Sequence, residues 1–316
     1  MSSQIKKFGI IGAAGYVAPK HMKAISDTGN ELVAALDPSD SVGVMDNYFP
    51  EAVFFTEFER FDRLVHKLRR LGESLDYISI CSPNYLHDSH MRFALRSGCD
   101  AICEKPLVLN PHNIDALKDI EEETGRKVNT ILQLRVHPSI INLRSQLPVE
   151  NNTGKYKVNL TYITSRGRWY HQSWKGFEEK SGGIASNIGI HFFDMLHYLF
   201  GEVELNAIHY KSSTRASGFI EYERASVNWF LSIEFADIPK EQANAGQRTY
   251  RSIEIDGQQF EFSGGFNDLH TRSYEEILAG RGFCLDENRT AIATVSEIRK
   301  AEISTFGPHH PFLSKL

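Results

Sequence analysis

The stretch "KFGIIGAAGYVAPKH", Lys7 to His21, decides how the first half of the chain is read. It is a short apolar run that breaks into small residues and restarts with helical character, the order of a strand, a tight turn and a helix. The dinucleotide fingerprint G-x-G-x-x-G is not there: Gly12, Gly15 and Ala18 are spaced by two, and Ala14 stands where a second glycine would fall. A pyrophosphate-holding turn needs a residue without Cβ, close backbone approach and amide N–H groups at a helix N-terminus. Gly12 and Gly15, with the small Ala13, Ala14 and Ala18, meet those demands in a turn one residue longer. Pro19 fits if it falls in the first helical turn, where its missing N–H has no intrahelical partner.

Working outward, "ELVAALD" ends in Asp37, where a carboxylate can accept both ribose hydroxyls of an adenosine. No Arg or Lys follows in "DPSDSVG" to neutralise a 2'-phosphate, which favours NAD over NADP. The same residues also suit a structural turn with an incidental acidic strand end, so the rest of the chain has to decide.

Strand-like runs alternate with helical ones through the first part: "KFGIIG", "ELVAALD" with a short helix or loop after it, "LDYISICS" before "NYLHDSHMRFALRSG", and "DAICEKP" before "NIDALKDIEEETG". Gly98 and Gly125 fall where helix C-caps belong. This alternation predicts βαβ units, a doubly wound parallel sheet of the Rossmann type. After "KVNTILQLR" the pattern changes to strands joined by turns: "KYKVNLTYITSRGRWY", "ELNAIHYKSS", "GFIEYE", "ASVNWFLSIEF", "RSIEIDG" and "QQFEF", the last pair meeting at Asp256-Gly257, a hairpin signal. In "SVNWFLSIEF", Val227, Trp229, Leu231, Ile233 and Phe235 share one side, and the other is mostly polar with Phe230 among it. The expected architecture is α/β: a Rossmann domain over 1–128, then an α+β domain over 129–316 on a mainly antiparallel, open-faced sheet whose other face is a candidate subunit interface. The polar "DIPKEQANAGQRTY" reads as its most mobile loop.

Composition bounds the function. With 316 residues, 41% hydrophobic and 24% charged, the chain has material for two cores and does not read as disordered. A net charge of -5, from 35 basic and 40 acidic side chains, provides no general attraction for nucleic acid. The N-terminal residues lead into a short strand rather than a signal sequence, and no run approaches the roughly 18 apolar residues of a membrane span, so a cytoplasmic location without membrane contact is expected. Cys81, Cys99, Cys103 and Cys284 form no C-x-x-C pair and read as reduced thiols rather than a disulfide or metal framework; no metal is expected.

Two further motifs sit at the carboxyl ends of expected parallel strands, where open α/β sheets bind ligands. In "SICSPNYLHDSH", Ser82, Pro83, Asn84 and His87 would line the edge of a cofactor site; in "CDAICEKPLVLNP", Glu104, Lys105 and Pro106 follow the next strand, with Lys105 towards the nicotinamide end. "SPNYLH", "CEKPLVLN" and "SNIGIHFFDMLHYLFG" resemble the signatures of the glucose-fructose oxidoreductase and inositol dehydrogenase superfamily, over nearly the whole chain. That resemblance implies a nicotinamide-dependent oxidoreductase acting on a sugar or polyol. "GAAGYVAPKHM", "ILQLR", "LTYITSRGRWY", "SWKG", "NIGIHFFDMLH" and "DLHTRSYEEILAGRGF" are similar to the subgroup of bacterial UDP-N-acetyl-2-amino-2-deoxy-glucuronate 3-dehydrogenases, which share the longer glycine turn and act in O-antigen sugar synthesis.

The subgroup implies NAD held by Gly12, Ala14, Gly15, Tyr16, Val17, Asp37, Ser82, Pro83, Asn84, His87, Glu104, Lys105, Gln133 and Arg135. It implies a homotetramer and a UDP-sugar substrate; some relatives regenerate NAD with 2-oxoglutarate, which the sequence leaves open. Asn187, His191 and Asp194 are spaced i, i+4, i+7 and would share a helix face, presenting Asn187 and His191 towards Lys105. Oxidising a secondary alcohol takes a hydride acceptor and a base for the hydroxyl proton. His191 is the expected base because imidazole titrates near neutrality, with Lys105 as its partner; a desolvated lysine could exchange roles with it. Asn187 replaces the superfamily's usual Asp, so it would hydrogen-bond the sugar rather than relay a proton. Arg166, Arg168 and Lys175, interleaved with Trp169, Tyr170 and Trp174, suit a diphosphate, a uracil face and a uronate carboxylate, or an interface. His270 and Tyr274, i and i+4 on a helix, are weaker candidates for the same pocket. An inositol-type polyol dehydrogenase and a catalytically silent NAD-binding protein stay as alternatives.

Overall fold

The computed structural model describes residues 4–148, 154–260 and 267–315. The chain divides into two compact units, one running up to Val136 and regaining Asn267–Arg289, the other taking the rest. The first unit is a six-stranded parallel sheet of β1 (Lys7–Ile11), β2 (Glu31–Leu36), β3 (Val53–Phe55), β4 (Tyr77–Ile80), β5 (Asp100–Cys103) and β6 (Val128–Thr130), in the order β3-β2-β1-β4-β5-β6. Chain order reverses between β1 and β4, the switch point at which such sheets open a crevice at their carboxyl ends. The connecting helices are α1 (Ala18–Asp27), α2 (Phe58–Leu71), α3 (His87–Arg96) and α4 (His112–Thr124).

The expected doubly wound architecture is present, and Pro19 lies in the first turn of α1 as required. The strands are apolar on both faces, with Phe8, Ile10, Ile78, Ile80 and Ile102 wholly buried, because helices cover each side. The short helix expected after "ELVAALD" is there as Gly43–Asn47, and it is followed by β3 and α2, which the sequence reading did not place; α2 buries only Phe61 and Val65. The sequence boundary at 128/129 also differs from the contacts. Residues up to Val136 stay with the first unit, and so does the helix Leu269–Leu278, whose Tyr274 and Ile277 join Phe8, Met22 and Ile25 in one core.

The second unit holds β7 (Tyr156–Thr164), β8 (Val203–Lys211), β9 (Arg215–Tyr222), β10 (Ala225–Ser232), β11 (Thr249–Ile255) and β12 (Gln258–Phe260), in the order β12-β11-β7-β10-β9-β8. Only β7 and β10 pair in parallel; the other pairs are antiparallel, and Asp256-Gly257 turns β11 into β12 with positive φ at both residues. The Glu261 and Phe262 end of "QQFEF" lies outside the described residues. Val227, Trp229 and Leu231 are fully buried, with the Phe193 ring of the helix Ile190–Phe200 edge-on to Trp229 at 5.3 Å between centroids.

Two expectations are corrected here. Phe235 does not continue the buried stripe: it lies in a turn past the end of β10 and is 47% exposed. Nor is the second face bare, because Phe230 on it is 1% exposed, packed by His310 and Phe312 at centroid separations of 5.7 and 5.5 Å. His310 Nε2 also lies 3.2 Å from Thr161 Oγ1, so the chain's own C-terminal segment covers part of what read as an open face. Among the described residues no helix is long and apolar enough to cross a membrane.

Candidate functional site

The opening turn is built as a cradle. Gly12 has φ +90°, and a Cβ on it would lie 2.6 Å from the backbone C of Cys81 and N of Ser82, so no other residue fits between the ends of β1 and β4. Gly12 N and Ala13 N both donate to Leu36 O, at 2.8 and 3.1 Å, and Gly15 N donates to Gly12 O at 3.0 Å. Asp37 Oδ2 accepts from Ala14 N at 3.0 Å while its Oδ1 accepts from Ser39 N at 2.9 Å, which fixes the carboxylate beside the turn. Tyr16, 93% exposed, and Val17 complete the approach to α1. A close-packed glycine, a helix start and an anchored acid with no cation in 37–43 fit a dinucleotide without a 2'-phosphate.

At the end of β4, Ser82 Oγ lies 2.9 Å from His90 Nδ1, and Asn84 is 6% exposed. Burial, and then the neighbouring His87, push the His90 pKa down to about 4 from its ordinary 6.5. A folded value below the unfolded one means that the unfolded chain takes up the proton first, so stability is lost as pH falls from about 6.5 towards 4, by at most about 3 kcal/mol from this residue. Chemical unfolding at pH 7 and pH 4.5 should show a smaller difference in His90→Gln than in the wild type; an equal difference would contradict the assignment.

His87 does not reach outward to line a ligand. It is 1% exposed, its Nδ1 lies 2.8 Å from Pro106 O and its Nε2 lies 2.8 Å from Ser82 O, so it ties the loop after β4 to the loop after β5. Burial lowers its pKa while both carbonyls oppose that; in the neutral ring one of the two contacts lacks its hydrogen.

Glu104, 7% exposed, follows the last residue of β5 with its Oε1 shared by His21 Nε2 at 3.0 Å and His270 Nε2 at 2.9 Å, and its Oε2 accepts from Lys105 N at 3.3 Å. Burial alone would raise the Glu104 pKa, but the two imidazole bonds overcome it and hold the carboxyl well below its ordinary range. His21 is pushed down by burial, which wins over the bond to Glu104. The chain extends inward: His21 Nδ1 lies 2.8 Å from Tyr274 Oη, which lies 2.6 Å from Ser79 Oγ. Imidazole, carboxylate and imidazole meet within 4.8 Å, a donor set that suits a metal ion as well, although hydrogen bonds already close it.

Tyr274 is thereby corrected. It is fully buried in the first unit, its hydroxyl used by His21 and Ser79 and its ring stacked 5.8 Å from Phe8, the surroundings of a core residue rather than of a pocket wall. His270, on the same helix, is 6% exposed and its Nε2 is taken by Glu104. Arg135 is also committed elsewhere: 6% exposed, it pairs with Glu287 Oε1 and Glu287 O at 3.0 Å each and lies over Phe283 at 5.2 Å. Gln133 is half-buried on the same stretch after β6. His21 was missed; the available signal was a polar residue in helical register with the buried Ala18, Met22 and Ile25.

In the second unit, "GRWY" is not a strand end. A helical turn, Trp169–Gln172, leaves Arg166 and Arg168 exposed, Trp169 53% exposed and Tyr170 buried. Lys175 Nζ stands 4.3 Å from the Trp174 ring centroid and 5.7 Å from that of Trp169. Asn187 Nδ2 donates to Tyr170 Oη at 2.7 Å. Asn187 lies in a π-helical turn, Ala185–Gly189, and only then does the helix Ile190–Phe200 begin, so the straight i, i+4, i+7 face breaks at its first member. His191 is half-buried and Asp194 is 1% exposed, beneath the surface of the unit. A cavity of about 270 Å³ beside the turn is lined by Tyr170, Lys175, Gly183, Lys211, Ser212 and Arg299.

Residues 6–131 match the model of the oxidoreductase family with an NAD-binding Rossmann fold, and 152–237 match that family's C-terminal alpha/beta domain. The chain belongs to this oxidoreductase family. The WlbA (WbpB) dehydrogenase of Thermus thermophilus is 50% identical, covers 98% of this chain and 100% of its own, and superposes with a TM-score of 0.94. It has been solved with NAD and alpha-ketoglutarate, and with NAD and UDP-GlcNAcA. Glucose-6-phosphate 3-dehydrogenase of Bacillus subtilis is 27% identical over 62% of this chain and 54% of its own length, and inositol 2-dehydrogenase of Rhizobium meliloti is 28% identical over 62% and 55%. The chain thus spans about half the length of the curated relatives it matches. Residues 6–131, the larger part of its first unit, are the family's NAD-binding domain.

Proposed function

We propose that this protein is an NAD-dependent dehydrogenase that oxidises the C3 hydroxyl of UDP-N-acetylglucosaminuronic acid to the 3-keto sugar. The observation that carries the reading is 50% identity, over 98% of the chain, to a dehydrogenase solved with NAD and UDP-GlcNAcA. Bound NAD supplies the hydride acceptor. His191 takes the proton of the sugar hydroxyl, and Lys105 orients that hydroxyl and favours its loss by placing a positive charge near the developing alkoxide. Asn187, already polarised by Tyr170, offers its amide to the sugar. Arg166, Arg168 and Lys175 receive the diphosphate and the uronate, and the exposed face of Trp169 offers a stacking surface for the uracil.

The complex of the same relative with alpha-ketoglutarate supports 2-oxoglutarate as the oxidant that regenerates NAD. The product would enter nucleotide-sugar synthesis for lipopolysaccharide O-antigen, in the cytoplasm, where UDP-sugars are made, and the assembly would be a homotetramer as in the resembling subgroup. The weaker likeness to sugar-phosphate and inositol dehydrogenases defines the competing substrates. With NAD in excess, kcat/KM for the UDP-uronate should exceed that for inositol or glucose 6-phosphate by at least about 10³, since those lack the diphosphate and uracil contacts. Comparable values for inositol would replace this reading with the polyol one.

A further inference from the structure

Glu104, Lys105 and Pro106 leave β5 in sequence, and both neighbours of Lys105 are tied to buried imidazoles. On one side, His21 of α1 and His270 of the helix Leu269–Leu278 converge on Glu104 Oε1 at 3.0 and 2.9 Å, and Glu104 Oε2 in turn accepts from the Lys105 amide at 3.3 Å. On the other side, His87 of α3 lies 2.8 Å from Pro106 O. The rings are 0%, 6% and 1% exposed, so none is a solvated surface group. We propose that His21, His87 and His270 are positioning residues for Lys105, three struts from three helices that fix the lysine-bearing turn; this rests on the reading of Lys105 as a group that acts on the substrate.

Three details support struts rather than filler. A buried carboxylate demands donors, and imidazole provides one directional N–H from a rigid ring with few rotamers to lose. His21 is itself held at its far nitrogen by Tyr274, and Tyr274 by Ser79 on β4, so the strut is anchored in the central sheet. His87 spans Ser82 O as well as Pro106 O, which sets the spacing of the two loops that carry the site residues of β4 and β5. A reacting group displaced by about 1 Å loses on the order of 10²-fold in rate, so struts of this kind act on turnover far more than on cofactor affinity.

The test compares His87→Leu and His270→Leu with His87→Gln and His270→Gln in the full-length protein. Leucine should lower kcat at least about 10-fold with the Kd for NAD within about 3-fold, and glutamine, which keeps a side-chain N–H, should recover part of the loss. Lys105 is read directly through its rate of reductive methylation, mapped by peptide mass spectrometry, which should shift at least about 3-fold in the leucine variants and return towards wild type with glutamine. Unchanged kcat and unchanged Lys105 methylation in folded variants would overturn the proposal. If the leucine proteins do not fold, the glutamine variants decide by the same two readouts. If the wild type does not turn over the UDP-uronate, the functional reading fails on its own, and the methylation rates alone decide whether these histidines position Lys105.

Discussion

Lys105→Met should lower turnover of the UDP-uronate by about 10³-fold, the upper end of the 10² to 10³ that removing one preorganised stabiliser of a developing oxyanion costs. Methionine keeps most of the stem and removes only the ammonium, and the flanking residues stay fixed by Glu104 and His87, so the fold around position 105 should persist. The Kd for NAD, measured by calorimetry, should change by less than about 5-fold, because the proposed reading assigns that contact to the glycine turn and to Asp37, which is anchored on Ala14 N. A variant that keeps more than about a tenth of wild-type kcat would remove Lys105 from the chemistry. The paired experiment is His191→Asn, which should abolish hydride transfer with NAD affinity near normal; turnover retained there would move the base role to Lys105.

Gly12→Ala should be the most damaging substitution in the cofactor turn. The new Cβ would sit 2.6 Å from backbone atoms of Cys81 and Ser82, on a residue whose φ of +90° already disfavours a side chain. Backbone at the end of β4 cannot swing aside as a side chain would, so β1 and β4 must separate at the turn proposed to hold the dinucleotide. The expected cost is about 2 to 4 kcal/mol of stability, with NAD affinity reduced at least 100-fold. Thermal unfolding with and without NAD checks both, and a variant with wild-type melting temperature and NAD shift would show that the turn is not a close-packed cradle.

How much was legible follows from distance along the chain. The strand, turn and helix from Lys7 to Asp27 form through local contacts, and the sequence reading placed them, the acid after β2 and the lysine after β5. Tyr274 and His270 read correctly as one helix face, but their partners, Ser79, His21 and Glu104, lie 166 to 253 residues away, and spacing within a helix does not tell which sheet it returns to. The π-helical turn at Asn187 was invisible because an extra residue per turn leaves no trace in apolar periodicity. Phe230 looked like an exposed aromatic on an open sheet because the residues that cover it, His310 and Phe312, come at the far end of the chain.

The most direct test of the central claim uses UDP-N-acetylglucosaminuronic acid carrying deuterium at C3, incubated with the protein, NAD and 2-oxoglutarate, with all products weighed by mass spectrometry. The account predicts loss of the label from a sugar two hydrogens lighter than its protiated form, and its appearance in reduced cofactor or at C2 of 2-hydroxyglutarate. Label retained at C3 by protein that binds NAD tightly would contradict it.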